Sequence, residues 1–244
     1  MFDVYWQGTA LALFIGCVLQ TALGFGMAIV AAPIIMLFAP QYVPSVITIV
    51  ALFLSVQNAT NLRSDIQWKF MLPAYITRVP GTVIGVALVA LMPTFILQLI
   101  ITLMVFVAIF VTIFIKPFNS TVLNMSVASF FSGIAGSATS IGGPPMAIVM
   151  QHGKSNHTRA NLSGYFVFAC FTSLVGYQLA GLMDSHLWIT GLTLTPIAFI
   201  AFYIGKKLRI YTEKYFRQLL LIVCIFSASI AMLGVVQHFI QFTE

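Results

Sequence analysis

Apolar runs about one bilayer long recur from one end of this chain to the other, and nothing else in it constrains the fold as much. A helix needs roughly 20 apolar residues to cross the hydrocarbon core of a membrane. Runs of that kind fall at about 43–60, 70–92, 95–116, 161–181, 186–204 and 216–240, with shorter ones at 7–22, 26–38, 122–137 and 144–151. Of 244 residues, 60% are hydrophobic and only 7% are Asp, Glu, Lys or Arg, against about 25% charged residues in soluble domains. So little charge cannot cover a water-facing surface. Lipid admits only helices and closed barrels as spanning structures, and runs of this length read as helices. The expected fold class is all-α and polytopic, one integral membrane domain with no soluble domain or long linker. The opening MFDVYWQG carries neither a basic leader nor a small-residue cleavage site, so no cleaved signal peptide is expected.

The four short runs form two pairs, each split by a glycine-bearing stretch: LGFG at 23–26 and SIGGPP at 140–145. Each pair is either one interrupted span or a hairpin that returns to the side it entered from. Cytoplasmic loops are enriched in Lys and Arg, so the basic residues discriminate. Single spans would split the loop cations three against seven. Hairpins put ten of the eleven basic residues on one side and leave Asp3, Asp184 and Glu244 on the other. Arg78 is the eleventh and falls inside a run. The hairpin topology places both termini outside the cytoplasm. It also accounts for the net charge of +6 through membrane insertion, with no need of nucleic acid.

Each half of the chain, 1–118 and 119–244, is then a broken-helix hairpin plus three transmembrane helices. Three is odd, so the second half starts from the opposite face, and the halves form an inverted repeat. Sequence echoes agree: Gly24-Phe25-Gly26 matches Ser140-Ile141-Gly142 at an offset of 116, Trp68 matches Trp188 and Gly85 matches Gly205 at 120, and Phe95 matches Phe216 at 121. Inverted repeats with interrupted helices at matching positions mark secondary transporters, and the interruptions point to the binding site.

Non-helical backbone at membrane depth is tolerated only inside protein or beside a wet cavity. Small polar residues gather at both breaks: Gln20, Thr21, Gly24 and Gly26 at the first, and Ser137, Thr139, Ser140, Gly142, Gly143 and Pro144 at the second. Pro144 suits the first turn of a new helix, where its missing N–H costs nothing. Helix N-termini carry about half a positive charge and bind anions. The breaks therefore read as presenting N–H donors and hydroxyls to a small anion, although small residues also serve helix packing. Arg78 either pairs with that anion, snorkels to the interface or bonds a hairpin carbonyl.

No Asp or Glu lies within a run, so a carboxylate proton relay has no residue to use. An inside-negative potential alone favours anion exit by about 2.3 kcal/mol per charge per 100 mV. No cofactor or metal is expected. Cys17, Cys170 and Cys224 read as small buried hydrophobes, and His152 and His157 as members of a solvated loop. An intramembrane enzyme would need a base beside Ser137 or Ser140, and none is present. A non-transport assembly factor and a carrier of neutral polar solutes remain as alternatives, and oligomeric state is open.

GFGMAIVAAP at 24–33 and SGIAGSATSIGGPPMAI at 132–148, with the basic connection KKLRIYTEKYFRQLL at 206–220, resemble the sulfite exporter TauE/SafE family, also called TSUP. Gly24, Gly26 and Pro33 match the glycine-rich motif of its first half, and Gly142 and Gly143 that of its second. Met27 and Ala28 replace later glycines of the first motif, while Pro144-Pro145 and Val149 depart from the second. The resemblance covers nearly the whole chain. It implies transport of small anions, often sulfur-containing ones such as sulfite and organosulfonates, across the bacterial inner membrane, usually as export.

Overall fold

The computed structural model describes residues 3–114, 120–150 and 155–209, together with Ile222 and Ser229. Apart from Ile222 and Ser229, the run at 216–240 lies outside the described residues, as do Cys224, His152 and His238. Those described form helices only: α1 (Val4–Leu23), α2 (Met27–Phe38), α3 (Ser45–Asn61), α4 (Trp68–Leu91), α5 (Thr94–Phe114), α6 (Val122–Thr139), α7 (Gly143–Met150), α8 (Ser155–Leu179) and α9 (Ser185–Arg209). Helices α1, α4, α8 and α9 are long and apolar enough to cross a membrane.

Helix α1 exceeds the apolar run that foreshadows it. Asp3 caps it by accepting from the Trp6 N–H at 2.8 Å, so the helix starts before the run. Its 20 residues span about 30 Å. Gly24, in the left-handed region with φ 96°, ends it and donates its N–H to the Gln20 carbonyl. Ser140 ends α6 in the same conformation, with φ 64°, and its N–H returns to the Gly136 carbonyl at 2.8 Å. A non-glycine residue there is strained. Its hydroxyl is tied down by donation to the Pro44 carbonyl at 3.1 Å.

Both short pairs fold back as hairpins. Along α1, a Cβ on Gly8 would meet the Phe38 ring, whereas one on Gly16 would meet the Met27 carbonyl at 2.7 Å. Along α6, Ser132 donates to the Gly142 carbonyl near the break, and Ser120, just ahead of the helix, donates to the Val149 carbonyl at the far end of α7.

The remaining contacts sort the helices by direction. Helix α4 lies parallel to α6: Ser129 donates to the Ala74 carbonyl, Arg78 reaches Ser132, and Gly85 packs on Ile134 and Ser137. It also lies parallel to α8, with Trp68 beside Gly164 and Val86 beside Gly176. Helix α9 lies parallel to α1 and α3: Trp6 donates to Thr193 at 3.2 Å, Gly205 packs on Val18 and Thr21, Gly191 meets Ile49, and Lys206 reaches Asn61. Helix α3 opposes α8, with Ile49 near Tyr177 and Leu62 near Ala160. Thus α1, α3 and α9 run one way, and α4, α6 and α8 the other.

The α4–α6 crossing is backbone against backbone. A Cβ on Gly81 would collide with the Phe130 carbonyl, and one on Gly133 would stand 2.8 Å from the Gly81 Cα. Small residues allow that approach and so gain dispersion contacts, since lipid supplies no hydrophobic drive between helices. It presses Arg78 against α6.

Candidate functional site

Both breaks open onto one cavity of about 50 Å³. At roughly 10–15 Å³ apiece that holds about three to five waters, or one small oxyanion. Gln20, Gly26 and Met27 reach it from the first break, and Ser140, Gly142 and Gly143 from the second. The breaks touch, since a Cβ on Gly143 would fall 3.1 Å from the Phe25 ring. Thr48 and Ser55 on α3, Phe166, Cys170 and Ser173 on α8, and Arg78 on α4 complete the wall.

Arg78 sits at mid-length of α4 and is 3% exposed. It does not snorkel. Its Nη1 donates to the Ser132 carbonyl and, at 3.1 Å, to the Ser132 hydroxyl; Nη2 donates to Ser173 at 3.3 Å. The guanidinium lies over Gly136, where any Cβ would stand 3.0 Å from both terminal nitrogens, and its carbon stands 5.8 Å from the centre of the Tyr165 ring. All its acceptors are neutral, and Nε has no partner. Among the described residues no carboxylate pairs with it. An ionised group taken out of water without a counter-charge costs several kcal/mol.

The surrounding hydroxyls are wired to one another. Ser132 donates to Gly142 while accepting from Arg78 and, at 3.0 Å, from Tyr165. Ser137 and Ser173 share a hydrogen bond of 2.8 Å. Thr48 stands 3.4 Å from Ser140. The Gln20 amide donates to Ser55 at 3.5 Å and accepts the Met27 N–H at 3.4 Å. Arg78 is thus bonded to a hairpin carbonyl, that of Ser132, and lies on the cavity wall.

Of the expected site residues, Gln20, Gly26, Arg78, Ser140, Gly142 and Gly143 line the cavity, and five do not. Thr21 accepts from Asn58 at 3.2 Å and packs against Gly205. Gly24 caps α1 beneath Arg159. Ser137 turns toward Ser173, and its carbonyl accepts from Tyr177. Thr139 donates back to Ala135 at 2.7 Å and accepts from Ile141 at 3.1 Å, which shapes the break. Pro144 is buried in the first turn of α7. These five build the breaks instead of facing their opening.

Thr48, Ser55, Phe166, Cys170 and Ser173 escape the sequence reading. The available signal was hydroxyls inside apolar runs: Ser55 and Ser173 stand 118 residues apart, close to the offset of the sequence echoes. Cys170 is on the cavity wall, not simply buried among hydrophobes. His157 belongs to the first turn of α8, half-buried, its Nδ1 3.2 Å from the Asp65 carbonyl, and not to a solvated loop. Among the described residues no three metal-ligating side chains gather.

A family model described as Sulfite exporter TauE/SafE matches residues 9–231. The chain belongs to the sulfite exporter TauE/SafE family. Membership and the apolar helices together make it a multi-pass membrane protein of a transporter family. The TauE/SafE match takes in both breaks, Arg78 and every cavity residue named above. No curated protein and no solved structure matches the chain.

Proposed function

We propose that this TauE/SafE protein carries small oxyanions, sulfite or organosulfonates in particular, across the bacterial inner membrane by alternating access, and binds them in the cavity between the two breaks. The observation that carries this reading is Arg78: a buried cation with neutral partners only, on the wall of a cavity sized for one small ion. An oxyanion would supply the missing charge, and Nε of Arg78 has no hydrogen-bond partner of its own. The first-turn N–H groups of α2 and the Gly143 N–H of α7, where Pro144 and Pro145 carry none, have no intrahelical acceptor, and Met27, Ala28, Ile29 and Gly143 line the same space.

Helix directions favour the inverted repeat that alternating access uses. The matched helices α1 and α6, α2 and α7, α3 and α8, and α4 and α9 all run in opposite senses. The halves also exchange equivalent contacts. Gly85 of the first half packs on Ile134 and Ser137 of the second, and Gly205 of the second packs on Val18 and Thr21 of the first. Ile134 and Val18, like Ser137 and Thr21, are 116 residues apart. Such an arrangement lets one packing be exchanged for its mirror about the cavity. Both termini are assigned to the non-cytoplasmic side. Lys206, Arg209 and Arg159 collect at one end of the bundle, near Asn61, Asn58 and Gly24, and Asp3 lies at the opposite end of α1.

The test is efflux from proteoliposomes loaded with sulfite or methanesulfonate, under imposed potentials of either sign. Protein-dependent efflux that Arg78→Gln abolishes is the expected result. Absence of efflux for both anions under both signs would refute the reading.

A further inference from the structure

We infer, building on that reading, that the cavity selects singly charged over doubly charged oxyanions. The basis is a count of fixed charge. Each helix end carries about half an elementary charge, positive at the N-terminus and negative at the C-terminus. At the first break the C-terminus of α1 stands beside the N-terminus of α2; at the second, that of α6 stands beside the N-terminus of α7. The paired ends cancel, so the breaks donate hydrogen bonds without adding net charge. Among the described residues, Arg78 is then the one ionised group on the wall. The titratable groups facing it, Tyr165, Tyr177 and Cys170, all come from α8. The residues that α6 sets against it, Ser132 and Gly136, carry no charge.

One positive charge neutralises one negative charge. A dianion in the same space keeps an uncompensated charge away from water, which is heavily penalised. The remainder of the wall offers no relief. Thr48 and Ser140 donate to the Pro44 carbonyl, Ser173 shares a hydrogen bond with Ser137, Ser55 accepts from the Gln20 amide, and Phe166 is apolar, so none of these groups carries a charge. The hydrogensulfite form of sulfite and alkyl sulfonates fit this charge count. Sulfate and fully ionised sulfite do not.

The experiment compares methanesulfonate, singly charged at all working pH values, with methylphosphonate, which is nearly isosteric and loses its second proton near neutrality. Binding of each to the purified full-length protein in detergent is measured by calorimetry at about pH 6 and about pH 9. Methanesulfonate affinity should stay level, and so control for titration of the protein. Methylphosphonate affinity should fall at least tenfold at the higher pH. Equal or tighter methylphosphonate binding at the higher pH overturns the charge selectivity and leaves the anion site standing. Failure of both anions to bind at either pH overturns the anion site, and the selectivity with it.

Discussion

Replacing Arg78 with glutamine separates a ligand-binding role from a structural one, because the two roles predict opposite effects on stability. In the unliganded protein, Arg78 holds a charge that is 3% exposed and lacks a carboxylate partner. The cost of that burial is several kcal/mol. Three hydrogen bonds from the guanidinium to neutral acceptors offset it at about 1.5–3 kcal/mol each. Removing charge and bonds together should leave the unliganded fold about as stable as before. Anion binding should suffer instead. A charge-assisted hydrogen bond contributes about 1.5–3 kcal/mol, so affinity should drop about 10- to 150-fold. Thermal unfolding in detergent, with and without methanesulfonate, reads both quantities. At 100 times its dissociation constant the anion should stabilise the native protein by about 2.7 kcal/mol. At the same concentration, a variant with about 100-fold weaker binding should gain only about 0.4 kcal/mol. The reasoning is refuted if the variant loses about 3–5 kcal/mol without anion, the loss typical of a broken buried pair, and still shows the full anion-induced gain.

Gly85→Ala and Gly205→Ala should each destabilise the fold by about 1–3 kcal/mol through overpacking, since their Cβ atoms would stand 2.5 Å from the Ile134 carbonyl and 2.7 Å from the Val18 carbonyl; thermal melts of the two variants check this. Gly26→Ala meets nothing within 4 Å, but its φ is 115°, so a melt should show a smaller loss, about 1–2 kcal/mol, from backbone strain alone. In a background lacking native cysteines, Ser64→Cys and Ala180→Cys, both exposed and in connections next to opposite ends of the bundle, should label with a membrane-impermeant thiol reagent from the cytoplasmic and the outer face respectively. Labelling of both from one face would overturn the hairpin topology.

The positions of the helices were readable from hydropathy because transfer into lipid is a sum over local residues. Runs at 70–92, 161–181 and 186–204 became α4, α8 and α9 with ends shifted by a few residues. The early start of α1 was missed because Asp3 is polar and contributes as a cap, not as an apolar residue. Gly24 and the glycines around 142 announced the breaks, as left-handed or crowded backbone demands glycine. Ser140 in the left-handed region was not announced. Its conformation depends on a hydroxyl bond to Pro44, 96 residues away. Which hydroxyls face the cavity was hidden for the same reason: Thr139 and Ser140 are adjacent in sequence, yet one bonds back into its own helix and the other lines the cavity.

By itself, the sequence determined a helical membrane protein with two interrupted segments and a lone arginine inside a span. These follow from local requirements: burying apolar side chains, satisfying backbone hydrogen bonds and keeping cations on one face. Tertiary structure alone decided that both interruptions share one cavity and that Arg78 reaches it. That depends on α4 packing against α6 at glycine distance, with its far side against α8, so that a side chain from mid-helix is held between Ser132 and Ser173. Contacts across more than fifty residues of sequence leave no periodic trace in the chain, because they are set by which helix faces meet and not by the order of residues along any one of them.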